Sequence, residues 1–138
     1  MSVQRDCPRG NLVRVRWLID ASNVIGSRPD GWWHDRVGAA RRLVASVRAW
    51  AAEEGATAVV VLDSGPDELL GEADGVAVLR ATRRGRDAAD DEIVRLLAAD
   101  PAPDEVRVIT SDAALADRVR ALGAGVEGAG EFRSRLER

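Results

Sequence analysis

The stretch "WLIDASNVIGSRPDGWWHDR", residues 17–36, decides how this chain is read. An apolar run ends on a carboxylate, Asp20, and Asn23 follows within the next turn of chain. Such an acid either stops a strand as a turn former or marks the edge where a sheet presents its chemistry. Which reading holds depends on whether other strands end the same way.

They do. Upstream of Asp20, "LVRVRWLI" (residues 12–19) partly alternates, with Val13, Val15 and Trp17 on one parity, and reads as a strand. "TAVVVLD" is a short buried strand ending on Asp63, and "GVAVLRA", about residues 75–81, is another. "EVRVIT" leads into Ser111 and Asp112. Between the strands lie helical patterns. "DRVGAARRLVASVRAWAAEEG" spaces Val37, Ala40, Val44, Val47 and Ala51 along one face, widened by Leu43 and Trp50. Asp35 stands as its N-cap and Gly55 as its stop. "DAADDEIVRLLAAD" is a helix with an acidic first turn, and "DAALADRVRALG" turns Leu115, Val119 and Leu122 inward. The tail "VEGAGEFRSRLER" holds a very short strand at Val126 and a last helical turn or two. Strands alternating with helices over short connections predict a mostly parallel α/β sheet covered on both faces. In such sheets the site lies beyond the carboxyl ends of the strands.

If those strands are parallel, Asp20, Asp63 and Asp112 share one edge. Asp87, Asp90 and Asp91 open a helix that starts from the same side. Each acid alone is accounted for by capping or by the helix dipole. Capping, however, needs one oxygen acceptor and not a gathering of acids. Clustered carboxylates repel, and without a counter-charge some of them stay protonated. A divalent cation resolves the conflict, and oxygen-only donors select Mg²⁺ or Mn²⁺. Such an ion activates water and stabilises phosphoryl charge without a histidine base, which suits a chain with a single histidine, His34. Phosphodiester hydrolysis is the chemistry these residues fit best.

Composition narrows the field further. A chain of 138 residues fits one domain, residues 12–138 behind a polar lead-in at residues 1–11. That lead-in, "MSVQRDCPRGN", has no signal-peptide apolar segment, and no run is long enough for a membrane span. Cys7 is the lone cysteine, so an internal disulfide and an ordinary zinc site are excluded and a cytoplasmic setting is expected. The net charge of −3 rules out a wholly basic nucleic-acid footprint. All 20 basic residues are arginine, which removes the lysine of a P-loop and the lysine of a receiver domain, and leaves phosphate contacts to guanidinium groups. The residues after Asp20 are Ala21 and Ser22, not the Asp-x-Asp of a dehalogenase-type phosphatase.

Taken together, "DASNVIGSRPDGWW", "VVVLDS", "DAADDEIVRLL" and "VITSDAAL" resemble the NYN branch of the PIN-like ribonuclease superfamily, including its YacP-like bacterial members. The resemblance spans roughly residues 12–124. It implies a Rossmann-like three-layer fold around a mostly parallel sheet of four to five strands, and a Mg²⁺- or Mn²⁺-dependent endoribonuclease. Asp20, Asp90, Asp91 and Asp112 match the family's acidic metal-site positions, and Asn23 matches the Asn of its opening motif. Asp63 and Asp87 are secondary acids, and Thr110 and Ser111 are residues that orient Asp112 or cap the next helix. Whether Asp90 or Asp91 is the direct ligand stays open at this level.

RNA, single-stranded by expectation, is the implied partner. Arg80, Arg83, Arg84 and Arg86 form a cationic rim before the acidic helix; Arg28 and Arg36 add to it, and Trp32 and Trp33 offer one core residue and one base-stacking surface. A homodimer is left open. Related PIN domains include toxins, but no antitoxin partner is indicated. The reading from another functional class is an RNA- or partner-binding module with a vestigial metal site.

Overall fold

The computed structural model describes residues 15–82 and 87–138. The lead-in at 1–11, the start of the first predicted strand, and Arg83, Arg84 and Arg86 lie outside the described residues.

Six strands form one sheet in the order β3-β4-β2-β1-β5-β6. They are β1 (Arg16–Asp20), β2 (Thr57–Leu62), β3 (Gly71–Ala73), β4 (Val76–Arg80), β5 (Val106–Ile109) and β6 (Gly125–Glu127). All pairings are parallel except β3 with β4. That antiparallel hairpin adds an edge strand beyond the four to five expected. Its turn, Asp74–Gly75, places both residues at positive φ (56° and 78°), the backbone that Asp and Gly tolerate in tight hairpins. β3 carries little apolar patterning and is fully exposed, so periodicity did not mark it.

The helices are α1 (Ala21–Ile25), α2 (Arg36–Glu54), α3 (Ala88–Ala98), α4 (Ala113–Ala121) and α5 (Ala129–Leu136). Alternate β1 residues feed two cores. Trp17 and Ile19 face α1, α2 and α5, where Trp17, Trp50 and Phe132 meet with ring centroids 5.1–5.8 Å apart. Leu18 faces α3 and α4 with Val61, Ile93, Val108 and Leu115. The period-two alternation of a strand covered on both faces explains this division.

α2 begins as predicted: the Asp35 carboxylate accepts from the Gly38 N–H at 2.9 Å, and Gly55 closes the helix in the left-handed region. Val37 departs from its predicted place on the buried face and is 43 % exposed. Val37 lies in the first turn of α2, directly after the 3-10 turn Trp32–His34, and its apolar spacing there meets solvent. Leu122 ends up at the α4 cap, half-buried.

The order of the sheet locates the switch point. From β1 the chain crosses to β2 by way of α1 and α2 on one face. From β4 it returns through α3 on the other face and enters β5, on the far side of β1. The crevice therefore opens at the carboxyl ends of β1 and β5. None of the described helices is long and apolar enough to cross a membrane.

Candidate metal centre

Asp20 ends β1 at that crevice and is 1 % exposed. A buried carboxylate needs partners, and it has two: Asn23 Nδ2 donates to its Oδ2 at 2.6 Å, and Thr110 Oγ1 donates to the same oxygen at 3.0 Å. Asn23 reaches Asp20 because α1 starts directly after the strand, placing residues three apart on one side of a helical turn. Thr110 follows β5, the strand paired with β1 on the switch-point side.

The network continues outward. Asn23 Oδ1 accepts from the Ser111 N–H at 3.2 Å, and Thr110 Oγ1 accepts from the Asp112 N–H at 3.1 Å. Asp112 caps α4, its Oδ1 accepting from the Leu115 N–H at 3.1 Å. Ser111 Oγ accepts from the Ala129 N–H at 2.9 Å and so serves the start of α5, not of α4. One polar chain thus fixes the ends of β1 and β5 and the beginnings of α1, α4 and α5. Thr110 is a positioning residue for both Asp20 and Asp112.

The electrostatics record a gathering of like charge. Burial pushes the Asp20 carboxyl up from the ordinary 3.8 to about 6; hydrogen bonds from Thr110 and Asn23 pull it down, and the negative charge of Asp90 adds to the rise. Asp90, in the first turn of α3, is also raised, by burial first and then by Asp112 and Asp87, with Arg118 opposing.

The neighbours Asp90 and Asp91 part company here. Asp90 is coupled to Asp20 and Asp112, whereas Asp91 meets Arg118 of α4 at 3.1 Å on the exposed side. Asp87 is exposed with φ of 65°, stands at the N-cap of α3, and makes no side-chain cap. Asp63 is exposed beyond the end of β2, on the other side of β1 from Thr110.

The described arginines of the expected rim are each engaged locally. Arg80 Nη1 donates to the Gly65 carbonyl at 2.7 Å and pairs with Asp67 at 2.7 Å, tying the β2–β3 connection. Arg28 pairs with Glu137 at 2.6 Å. Arg36 lies 5.3 Å from the centre of the Trp32 ring, a cation–π contact. Trp32 is half-buried; Trp33 is 48 % exposed and stands edge-on to it at 5.7 Å.

Two residues escaped the sequence reading. Glu92, the third acid of "DDE", is buried; Arg95 pairs with it and holds its carboxyl below the usual range, and Thr82 Oγ1 donates to it at 3.4 Å. Its spacing of three from Arg95 was the available signal. Arg118, which pairs with Asp91 and also tempers Asp90, had none.

The donor chemistry fits a hard divalent cation: carboxylate oxygens in mutual repulsion, without sulfur or imidazole. Among the described residues no three His, Cys, Asp or Glu side chains stand together as a ready metal set.

Residues 17–138 match the family model described as "YacP-like NYN domain". Among solved structures, the chain is similar to Rae1 (YacP) from Bacillus subtilis, at 24 % identity and TM-score 0.69 over 88 % of this chain and 72 % of that one. The W164L mutant of the same protein aligns at 22 % identity and TM-score 0.70, over 89 % and 75 %. These likenesses show the fold. No curated protein sequence matches the chain significantly.

Proposed function

The chain belongs to the YacP-like NYN domain family, which is nuclease-like, and on that footing we propose that it is a metal-dependent endoribonuclease acting at the β1–β5 edge. The observation that carries the reading is Asp20, buried at the switch point, held by Asn23 and Thr110 and linked through Thr110 to Asp112. Among the described residues no arginine neutralises Asp20; its carboxylate is held by neutral donors.

Asp20, Asp90 and Asp112 are the residues that would hold Mg²⁺ or Mn²⁺, with Asp91 outside the direct set. The cation would supply water activation and stabilisation of phosphoryl charge. Thr110 and Asn23 fix the Asp20 carboxylate so that it does not reorient during the reaction. RNA is the substrate of this reading, single-stranded so that its backbone follows the edge. Arg36 and Trp32 lie on the β2 flank of Asp20, and the rim arginines Arg83, Arg84 and Arg86 directly precede α3 in sequence. With a lone cysteine, the cytoplasm is the setting proposed.

A second reading, a binding module with a vestigial site, draws on the absence of a ready metal set among the described residues. One experiment separates the two: incubation of single-stranded RNA with the protein and Mg²⁺ or Mn²⁺, comparing wild type with Asp20→Asn. Metal-dependent cleavage that EDTA stops and that falls about 100-fold or more in the variant is expected. RNA binding without cleavage by folded wild-type protein in either metal would favour the module.

A further inference from the structure

A recess of about 140 Å³ opens on the other flank of Asp20 from Thr110. Its floor is apolar, with Leu62 and Ala40 both buried. One wall is Trp32, the recess's single aromatic, carrying Arg36 at 5.3 Å and braced edge-on by Trp33. At the rim stand Ser22, two residues past Asp20, and Asp63, two residues past the β2 partner of Asp20, Val61.

Asp63 differs from the acids of this edge that the fold engages. Asp20 has Asn23 and Thr110, Asp112 caps α4, and Asp91 meets Arg118. Among the described residues no hydrogen bond or ion pair engages the Asp63 carboxylate, and it is not a leading influence on Asp20 or Asp90. An acid that neither supports the fold nor joins the metal cluster, set at the mouth of a cavity with one aromatic wall, has the chemistry of a reader.

We propose that this recess binds one unstacked RNA base beside the scissile phosphate, and that Asp63 selects guanine. The inference rests on the ribonuclease reading and gives it a base preference. An aromatic wall over an apolar floor suits the face of any base. The two carboxylate oxygens accept in parallel. Only guanine presents two adjacent donors, N1–H and the exocyclic N2–H, on its Watson–Crick edge. Adenine and cytosine set an acceptor next to their donor, which would face the second oxygen in repulsion, and uracil flanks its single N–H with carbonyls. Arg36, on the Trp32 side of the recess, offsets the charge of Asp63 and suits the adjoining phosphate. The base is thus read on the β2 side of Asp20, and the bond is cut on the β5 side.

The test separates this claim from the nuclease reading, because it does not need turnover. The chain has four tryptophans, so ¹⁵N-labelled protein gives four indole N–H resonances, with Trp32 identified by Trp32→Phe. Titration with GMP, AMP, CMP and UMP is expected to move the Trp32 signal saturably, with GMP binding about tenfold tighter than the others. Asp63→Asn offers one donor and one acceptor, so it should weaken GMP about tenfold and shift preference toward AMP and CMP. An equal response to all four nucleotides, a Trp32 signal that none of them moves, or an unchanged preference in Asp63→Asn would overturn the proposal. Loss of all RNA cleavage in Asp63→Asn with GMP preference intact would also overturn it, by placing Asp63 in the reaction centre. GMP preference in a protein that cuts no RNA would sink the nuclease reading and leave the recess standing.

Discussion

β1 carries an ionic group at each end, and the two are handled in opposite ways. At its amino end Arg16 pairs through both terminal guanidinium nitrogens with Asp100, one contact at 2.9 Å, and donates to the Ala102 carbonyl at 2.9 Å; Glu105 adds a pair at 3.7 Å. Arg16 holds the Asp100 carboxyl below its usual range. At the carboxyl end, four residues along the same strand, Asp20 is buried, pairs with no arginine among the described residues, and is raised to about 6. The same residue type is stabilised as an anion at one edge and strained as one at the other. An acid that serves the fold is neutralised where it stands. An acid left in repulsion with Asp90 makes sense as the docking place of a cation that arrives later.

That contrast is breakable. The largest effect is expected within the adjacent pair on α3. Asp90→Asn should lower metal-dependent RNA cleavage about 100-fold, and Asp91→Asn by less than about fivefold, since an exposed pair such as Asp91–Arg118 contributes little. Equal losses in steady-state assays of the two variants would mean that Asp91 turns inward when substrate binds.

Smaller, and opposite in sign at the two ends of β1, are the effects on stability. Asp20→Asn keeps an oxygen where Asn23 and Thr110 both donate, and removes the buried charge. It should stabilise the metal-free fold by about 1–3 kcal/mol at pH 7 in urea denaturation. The sign follows from proton linkage: the folded Asp20 keeps its proton to about pH 6, whereas the unfolded chain releases it near the ordinary 3.8, so wild-type stability falls as pH rises through that window. Asp20→Asn should flatten this fall. Asp100→Ala should instead cost about 1–2 kcal/mol near neutrality. The depressed Asp100 gives stability that is present above its unfolded pKa and lost on acidification, so this variant should be less sensitive to acid. A destabilised Asp20→Asn, or a pH profile identical to wild type, would remove the claim that Asp20 is strained.

How far the sequence could reach follows from the same residues. Alternation of strands and helices, Asp35 and Gly55 as helix punctuation, and Asp20 as a strand-end acid were legible because each is a local signal. The roles of Thr110 and Asn23 depend on β1 pairing with β5, and pattern does not supply strand order. Asp90 and Asp91 are equivalent in sequence; only the packing of α4, which brings Arg118 to one of them, tells them apart. Asp63 carried the same strand-end signature as Asp20 and Asp112; β2 and β5 both pair with β1, so the acids that follow them stand on opposite flanks of Asp20, which pattern alone does not tell. β3 was missed because a three-residue edge strand held by hairpin pairing needs no apolar alternation.

The claim that these carboxylates await a cation is tested most directly by calorimetric titration of Mn²⁺ into the purified protein. Saturable binding is predicted for wild type and Asp91→Asn, lost in Asp20→Asn and Asp90→Asn, with proton release greater at pH 6 than at pH 8 because Asp20 must ionise to ligate. Binding that is indifferent to Asp20→Asn, or no binding by folded wild-type protein, would contradict the account.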